Sequence, residues 1–119
     1  MIHATDLTDE ISASPMAPAL QIGRMDIPPE VEGEWNEWYN TVYVPNYEKV
    51  PGVIRGRRFK AVVGDPQYLT VYEFEHEGVS QTKEWLRQQT IDPRNEAMRD
   101  AMLHVPGSPG IWKKTFELS

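Results

Sequence analysis

Two β-rich runs in the middle of the chain, VIRGRRFKAVV (53–63) and QYLTVYEFE (67–75), are separated only by Gly64, Asp65 and Pro66. Parallel strands need a crossover of about a dozen residues or more, so a connection this short makes an antiparallel hairpin. Alternation in the second run puts Tyr68, Thr70, Tyr72 and Phe74 on one face, and Leu69, Val71 and Glu73 on the other. In the first run Arg55 and Arg57 share one face, and Arg58 and Lys60 the other. A strand cannot bury four cations cheaply, so pairing with Glu73 and Glu75 is the expected arrangement. Arg58, or Arg24 upstream, could instead anchor an anionic ligand group through bidentate hydrogen bonds.

On either side of the hairpin the period changes. ALQIGRMDI (19–27) alternates as a strand, with Leu20 and Ile22 on one face and Met25 and Ile27 on the other. In PPEVEGEWNEWYNTVYV, Val31, Trp35, Trp38 and Val42 recur at helical spacing and form one apolar stripe. Pro28 and Pro29 suit the start of this helix, and Glu30, Glu32 and Glu34 suit the positive end of its dipole. Pro45 interrupts or restarts it, and VPG (50–52) closes the connection.

Downstream, Ser80 reads as a helix cap with Trp85 and Leu86 inward. Asp92 and Pro93 restart a helix whose stripe is Ala97, Met98, Ala101 and Met102. VPGSPG (105–110) is a loop, and IWKKTFEL (111–118) a last strand with Trp112, Phe116 and Leu118 on one side. The order β-α-β-β-α-β predicts an α+β, ferredoxin-like fold: a four-stranded antiparallel sheet with two helices on one face. Residues 1–18, including His3, read as a flexible tail, and 19–119 as a single domain. Because the strands carry apolar residues on both faces, the uncovered face predicts a symmetric homodimer.

Composition narrows the chemistry. With 12 Lys and Arg against 18 Asp and Glu, the formal charge is −6, which argues against nucleic acid as a partner. There is no Cys, which excludes disulfides, thiolate metal sites and Cys nucleophiles. The His residues form no metal-binding spacing, so no metal site is predicted. No apolar run approaches a membrane span and the N-terminus has no secretion-signal pattern, so a cytoplasmic protein is expected.

RMDIPPEVEGEWNEWYN at the first helix, VPNYEKVPGVIRGRRF leading into the second strand and GDPQYLTVYEFE at the third together resemble the dimeric α+β barrel superfamily, in particular its EthD-like branch. The resemblance spans about residues 20–118. It implies a dimeric barrel and a small cofactor-free protein, in a superfamily that includes polyketide cyclases, a hydroxynitrile lyase, lactone isomerases, cofactor-less monooxygenases and haem-degrading proteins. Fold does not choose among them. Relatives commonly carry a His where WYNTVYVP has Tyr43. A phenol with a reference pKa of ~10 is a hydrogen-bond donor or acid rather than a base, so a His-based mechanism does not carry over at this position.

Residues 34–52 hold two of the four Trp and three of the five Tyr. Beside the Trp35–Trp38–Val42 stripe runs a second one, Asn36, Asn40, Tyr43 and Tyr47. Such a border of amides and phenols suits an apolar pocket with a few polar anchors, or a solvated helix shoulder. The expected catalytic set is Tyr43, Tyr72, His76 and His104. The expected substrate-binding set is Asn40, Trp38, Tyr47, Arg24, Arg58 and Trp85. The expected ligand is a hydrophobic or aromatic small molecule, handled without a cofactor. Proton transfer on a carbonyl compound, cofactor-less oxygenation and non-catalytic ligand binding all remain open at this point.

Overall fold

The computed structural model describes residues 17–115. β1 (Ala19–Asp26) lies inside an antiparallel sheet, between β3 (Tyr68–Phe74) and an edge made of two short strands, β4 (Leu103–His104) and β5 (Gly110–Lys113). β2 (Val53–Lys60) pairs outside β3, giving the order β2-β3-β1-β4 of the ferredoxin-like α+β fold. The expected hairpin forms, running from Val53 opposite Phe74 to Lys60 opposite Tyr68 with one register shift between Val53 and Arg55. Its strands end earlier than the sequence indicates, leaving Val62 and Val63 in an open loop at 98% and 90% exposure.

The last strand departs from expectation. β4 pairs with Met25 and Asp26, β5 pairs with Ala19 to Ile22, and the chain between them bulges away. Pro106 and Pro109 lie in that bulge and cannot donate to a ladder, so the edge breaks in two. Phe116 and Leu118 lie outside the described residues, as do His3 and all but the last two positions of the expected tail.

The helices pack on the inward sheet face, where Tyr68, Thr70, Tyr72 and Phe74 are all buried. A 3-10 turn (Pro29–Val31) leads into α1 (Glu32–Trp38), a π turn (Tyr39–Tyr43) and α2 (Val44–Glu48) without a break. A second 3-10 turn (Val79–Gln81) precedes α3 (Lys83–Gln88), and α4 (Asn95–Asp100) follows a short connection. Thr82, not Ser80, caps α3, its Oγ1 accepting the Trp85 N–H at 3.2 Å. Leu86 and Ala97, read as inward, are exposed, whereas Trp85 and Met98 are buried.

Trp35 and Trp38 are fully buried, as their stripe required. The Trp38 indole donates to Asn95 Oδ1 at 2.9 Å, and the Asn95 amide donates to the Gln88 carbonyl at 2.8 Å. One buried Asn thereby ties α1 to both later helices. α2 sits so close to the sheet that a Cβ on Gly56 would lie 2.8 Å from the Tyr72 ring and 2.9 Å from Val44.

On the opposite face Arg55 and Arg57 reach Glu73 at 2.7 and 3.7 Å, matching the expected cross-strand pairing with that residue. On the same face Phe59 of β2 and, at the far edge, Leu103 and Trp112 are 51%, 57% and 60% exposed, with half-buried Leu20 and Ile22 of β1 between the edges. No helix among the described residues is long and apolar enough to cross a membrane.

Candidate active site

Proline inside a helix removes an N–H and presses its ring on the carbonyl four residues back. In this chain those are Pro45 and Thr41, and the helix widens just before them, so that the Val44 N–H bonds the Tyr39 carbonyl five residues back. The wide turn changes which side chains point inward. In an unbroken α-helix each step of four residues overshoots a full circle by about 40°. Here Trp35, Tyr39, Tyr43 and Tyr47 nevertheless all stay buried, while Val42 is only half-buried. Their rings meet edge to face, with Tyr39 5.2 Å from Trp35, Tyr43 5.3 Å from Tyr39, and Tyr47 4.8 Å from Tyr43.

Below this aromatic row lies a cavity of about 550 Å³. Tyr39, Tyr43 and Tyr47 form its helical wall, and Gln21, Gly23 and Met25 of β1 with Thr70 and Tyr72 of β3 form its floor. Trp85 closes one end, its ring 4.0 Å from Tyr47 and 5.2 Å from Tyr72. Arg99 and Asp100 of α4 and His104 of β4 bring the charged and titratable groups. Pockets of this size and lining accept small ligands.

The electrostatics are those of a donor-rich site. Burial pushes the Tyr39 phenol up to about 12. Burial also raises Tyr43, against the opposing pull of Tyr47 and the Arg99 charge. Tyr47 and Tyr72 rise well above the ordinary range, again through burial and then through neighbouring phenols. All four therefore remain O–H donors near neutral pH. Tyr47 donates to Tyr43 at 3.2 Å, while the buried Tyr72 hydroxyl has no protein partner. Arg99 has no carboxylate partner among the described residues, so its charge is directed at the phenols and at whatever fills the cavity. Partial burial, and then the Arg99 charge, lower His104, which is therefore neutral at pH 7. Among the described residues no three His, Asp or Glu side chains converge as a metal site would require.

The expected site residues fall into two groups. Tyr43, Tyr47, Tyr72, Trp85 and His104 line the cavity together. The others lie elsewhere. Trp38 is sealed in the core, stacked on Tyr43 at 4.3 Å. Asn40 and Arg58 occupy the other shoulder of the helix, where the guanidinium donates to Asn40 Oδ1 at 2.7 Å and lies 4.1 Å over the Tyr39 ring. Arg24 is exposed on the outer face, and His76 is exposed on the loop after β3, its Nδ1 accepting the Gly78 N–H at 3.1 Å.

Sequence reasoning missed Arg99, Asp100, Gln21 and the wall position of Tyr39. Arg99 stands beside the Met98 stripe of the last helix and carried no motif. The one available signal was its place on the flank of an apolar stripe.

No protein-family model matches the sequence, and no curated protein matches it. Solved structures do. SnoaB, a cofactor-independent oxygenase from Streptomyces nogalater solved as a point mutant, is similar at a TM-score of 0.61 and 12% identity, over 84% of this chain and 95% of that one. These likenesses show the fold. An ethyl tert-butyl ether D (EthD) family protein from Bacillus halodurans follows at 0.56 and 13%, over 82% and 99% of the two chains. The haem degrader MhuD from Mycobacterium tuberculosis, solved with two haems in its active site, is similar at 0.51 and 15%, over 86% and 100%. The resemblance to dimeric α+β barrel proteins, an EthD family member among them, thus holds at the level of the fold.

Proposed function

We propose that this chain is a cofactor-free enzyme that moves a proton on a small aromatic or polyketide-like carbonyl compound held in the cavity. The supporting observation is Arg99, a cation without a carboxylate partner among the described residues, set among protonated phenols. As a carbon acid ionises, charge develops on the adjoining oxygen. Donors already aimed at that oxygen stabilise it without reorganising. In this reading Arg99 and Tyr43 bind the enolate-like oxygen, Tyr72 offers a further O–H, and Tyr47 and Trp85 hold the rings of the ligand. Two groups of the wall can exchange the proton: the neutral His104 imidazole and the Asp100 carboxylate. Isomerase, cyclase, dehydratase and lyase reactions of carbonyl compounds can each begin with this step.

The likeness to SnoaB supports a second reading in which the same carbanion meets oxygen. The anion passes one electron to O₂, the radical pair joins as a peroxide anion that takes back the abstracted proton, and loss of water from the resulting hydroperoxide leaves a new carbonyl. The two readings share their first step and differ in the need for O₂.

Exchange of the α-hydrogens of 1-tetralone and anthrone for deuterium, followed by NMR with and without oxygen, tests both. Exchange with or without oxygen supports the proton transfer common to both readings, and net product formed without oxygen supports the first. Product formed only with stoichiometric O₂ uptake supports the second. Binding with neither leaves a ligand-binding protein and overturns the enzyme assignment. A Soret shift on adding haem that is abolished in His104→Ala would replace both readings.

We also propose that a second copy covers the outer sheet face, since Leu20, Ile22, Phe59, Leu103 and Trp112 together leave an apolar surface of the kind that marks interfaces. Sedimentation should give twice the protomer mass, and Leu103→Glu with Trp112→Glu should give monomers.

A further inference from the structure

The broken edge strand leaves β1 short of one acceptor, and a side chain supplies it. The Arg24 carbonyl takes the Val105 N–H at 3.1 Å in ladder fashion. The Arg24 N–H, however, faces the bulge and donates to Ser108 Oγ at 2.7 Å. The same Oγ lies 2.9 Å from His104 Nδ1. His104 stands opposite Met25 on the inward face, its ring passing over Gly23, where a Cβ would meet Met25 Cε at 3.1 Å and His104 Cε1 at 3.9 Å. A residue whose role in the reaction is ambiguous is thus held by one whose bonding can be counted.

We infer that Ser108 is a positioning residue that fixes His104 as the Nε2–H tautomer, so that the imidazole meets the ligand first as a donor and the proton acceptor of the cavity is Asp100. The inference rests on the function proposed above only for its last clause. Oγ already accepts from a backbone N–H, which is obligatory and cannot rotate away. If its own proton goes to Nδ1, all three groups at the junction are paired and the two bonds run head to tail, each polarising the other. If Nδ1–H donated instead, Oγ would accept twice and its hydroxyl proton would have no protein partner. The first pattern keeps every donor and acceptor of the junction bonded within the protein. With Nδ1 occupied as an acceptor, the ring nitrogen left for the cavity carries a hydrogen.

This places His104 with Arg99, Tyr43 and Tyr72 in a set of donors around the ligand oxygen. Asp100 is the carboxylate among the described lining residues, and the carbon-bound proton would pass to it.

Long-range ¹H–¹⁵N correlation spectra of histidine-labelled protein at pH 8 test the tautomer directly, with His104 assigned by comparison with His104→Gln. The expected pattern is a pyrrole-type Nε2 and a pyridine-type Nδ1 in the native chain. It should persist in Ser108→Thr, which keeps the hydroxyl, and should turn to a mixed-tautomer signal in Ser108→Ala. A pyrrole-type Nδ1 in the native protein overturns the inference, whatever the variants do. An unchanged pattern in a folded Ser108→Ala also overturns the role of Ser108. Should deuterium exchange on tetralone be absent while the tautomer is as expected, the proposed function fails and the positioning role stands. Once exchange is detected, Asp100→Asn should lower its rate by about two orders of magnitude, the usual range for a lost general base. Exchange unimpaired in that variant would overturn the assignment of Asp100.

Discussion

Two arginines flank the same tyrosine row and have opposite fates. Arg58 comes from the sheet and is half-buried against aromatic rings, its guanidinium 4.1 Å over Tyr39, 4.8 Å over Trp35 and 5.4 Å over Tyr68. Burial depresses its pKa, and the surrounding phenols counter part of that effect. Its Nε and Nη2 have no partner and no opening through which to gain one. Arg99 comes from α4 and faces space. The difference shows that an arginine among aromatic rings is no sign of a site by itself. What matters is whether the rings close around the cation or leave it a volume to act on. Tyr39 is the partition, with Arg58 on one side and the cavity on the other.

Exchanging the two arginines for small residues is the sharpest way to break that comparison. Arg99→Ala should lower kcat/KM for a confirmed substrate by about 10²- to 10³-fold, the usual cost of removing a donor to a developing oxyanion, with Tm nearly unchanged. Arg58→Ala should do the reverse. Losing three cation–π contacts and leaving a hole between rings should destabilise the fold by about 2–4 kcal/mol in urea titrations, with the folded protein still active. Equal effects of the two substitutions on activity would end the distinction.

The partition itself depends on the wide helical turn. Pro45→Ala restores the N–H whose absence the helix accommodates by widening. It should stabilise the protein, rotate Tyr43 out of the cavity toward the position of Val42, and weaken ligand binding about ten-fold, the value of one well-made hydrogen bond. A crystal structure of the variant with Tyr43 unmoved would show that the tertiary packing, not the proline, sets the turn.

Gly56→Ala probes the other support of the cavity. A methyl group 2.8 Å from the Tyr72 ring must push either the ring or α2, at a cost of about 1–3 kcal/mol, read as a lower urea midpoint.

The smallest expected effect is on pH. His104 titrates below its ordinary value of ~6.5, so on acidification the unfolded chain takes up its proton first. Stability from this residue is therefore complete above pH ~6.5 and falls as pH drops toward the folded value. His104→Gln should flatten that part of the profile. Because the ring edge reaches solvent, the change is small beside that of Arg58→Ala.

Much of this was legible beforehand. The hairpin, the strand order, the faces of β3, the pairing of Arg55 and Arg57 with Glu73 and the burial of Trp35 and Trp38 follow from periods of 2 and 3.6, which are local properties of the backbone. Tyr43 and Tyr47 were singled out because phenols beside an apolar stripe carry a signal in spacing, and Tyr72 because it shares a strand face with Tyr68. Arg99 carried only its place on the flank of an apolar stripe, and Ser108 carried no signal. Their roles arise from a helix and a loop whose landing points depend on distant partners. The ring packing of Arg58 was equally invisible, because the rings that converge on it come from separate elements.

From the residues alone came the order of strands and helices, the apolar stripe of α1 and the acidic, cysteine-free chemistry, since each depends on neighbours in the chain. Only packing in three dimensions decided that a proline-widened turn swings Tyr43 over a void, that the last strand breaks to hand Ser108 to His104, and that one arginine packs against rings while the other lines the cavity. Those outcomes depend on where side chains from separate elements meet, and no period along the chain encodes that distance.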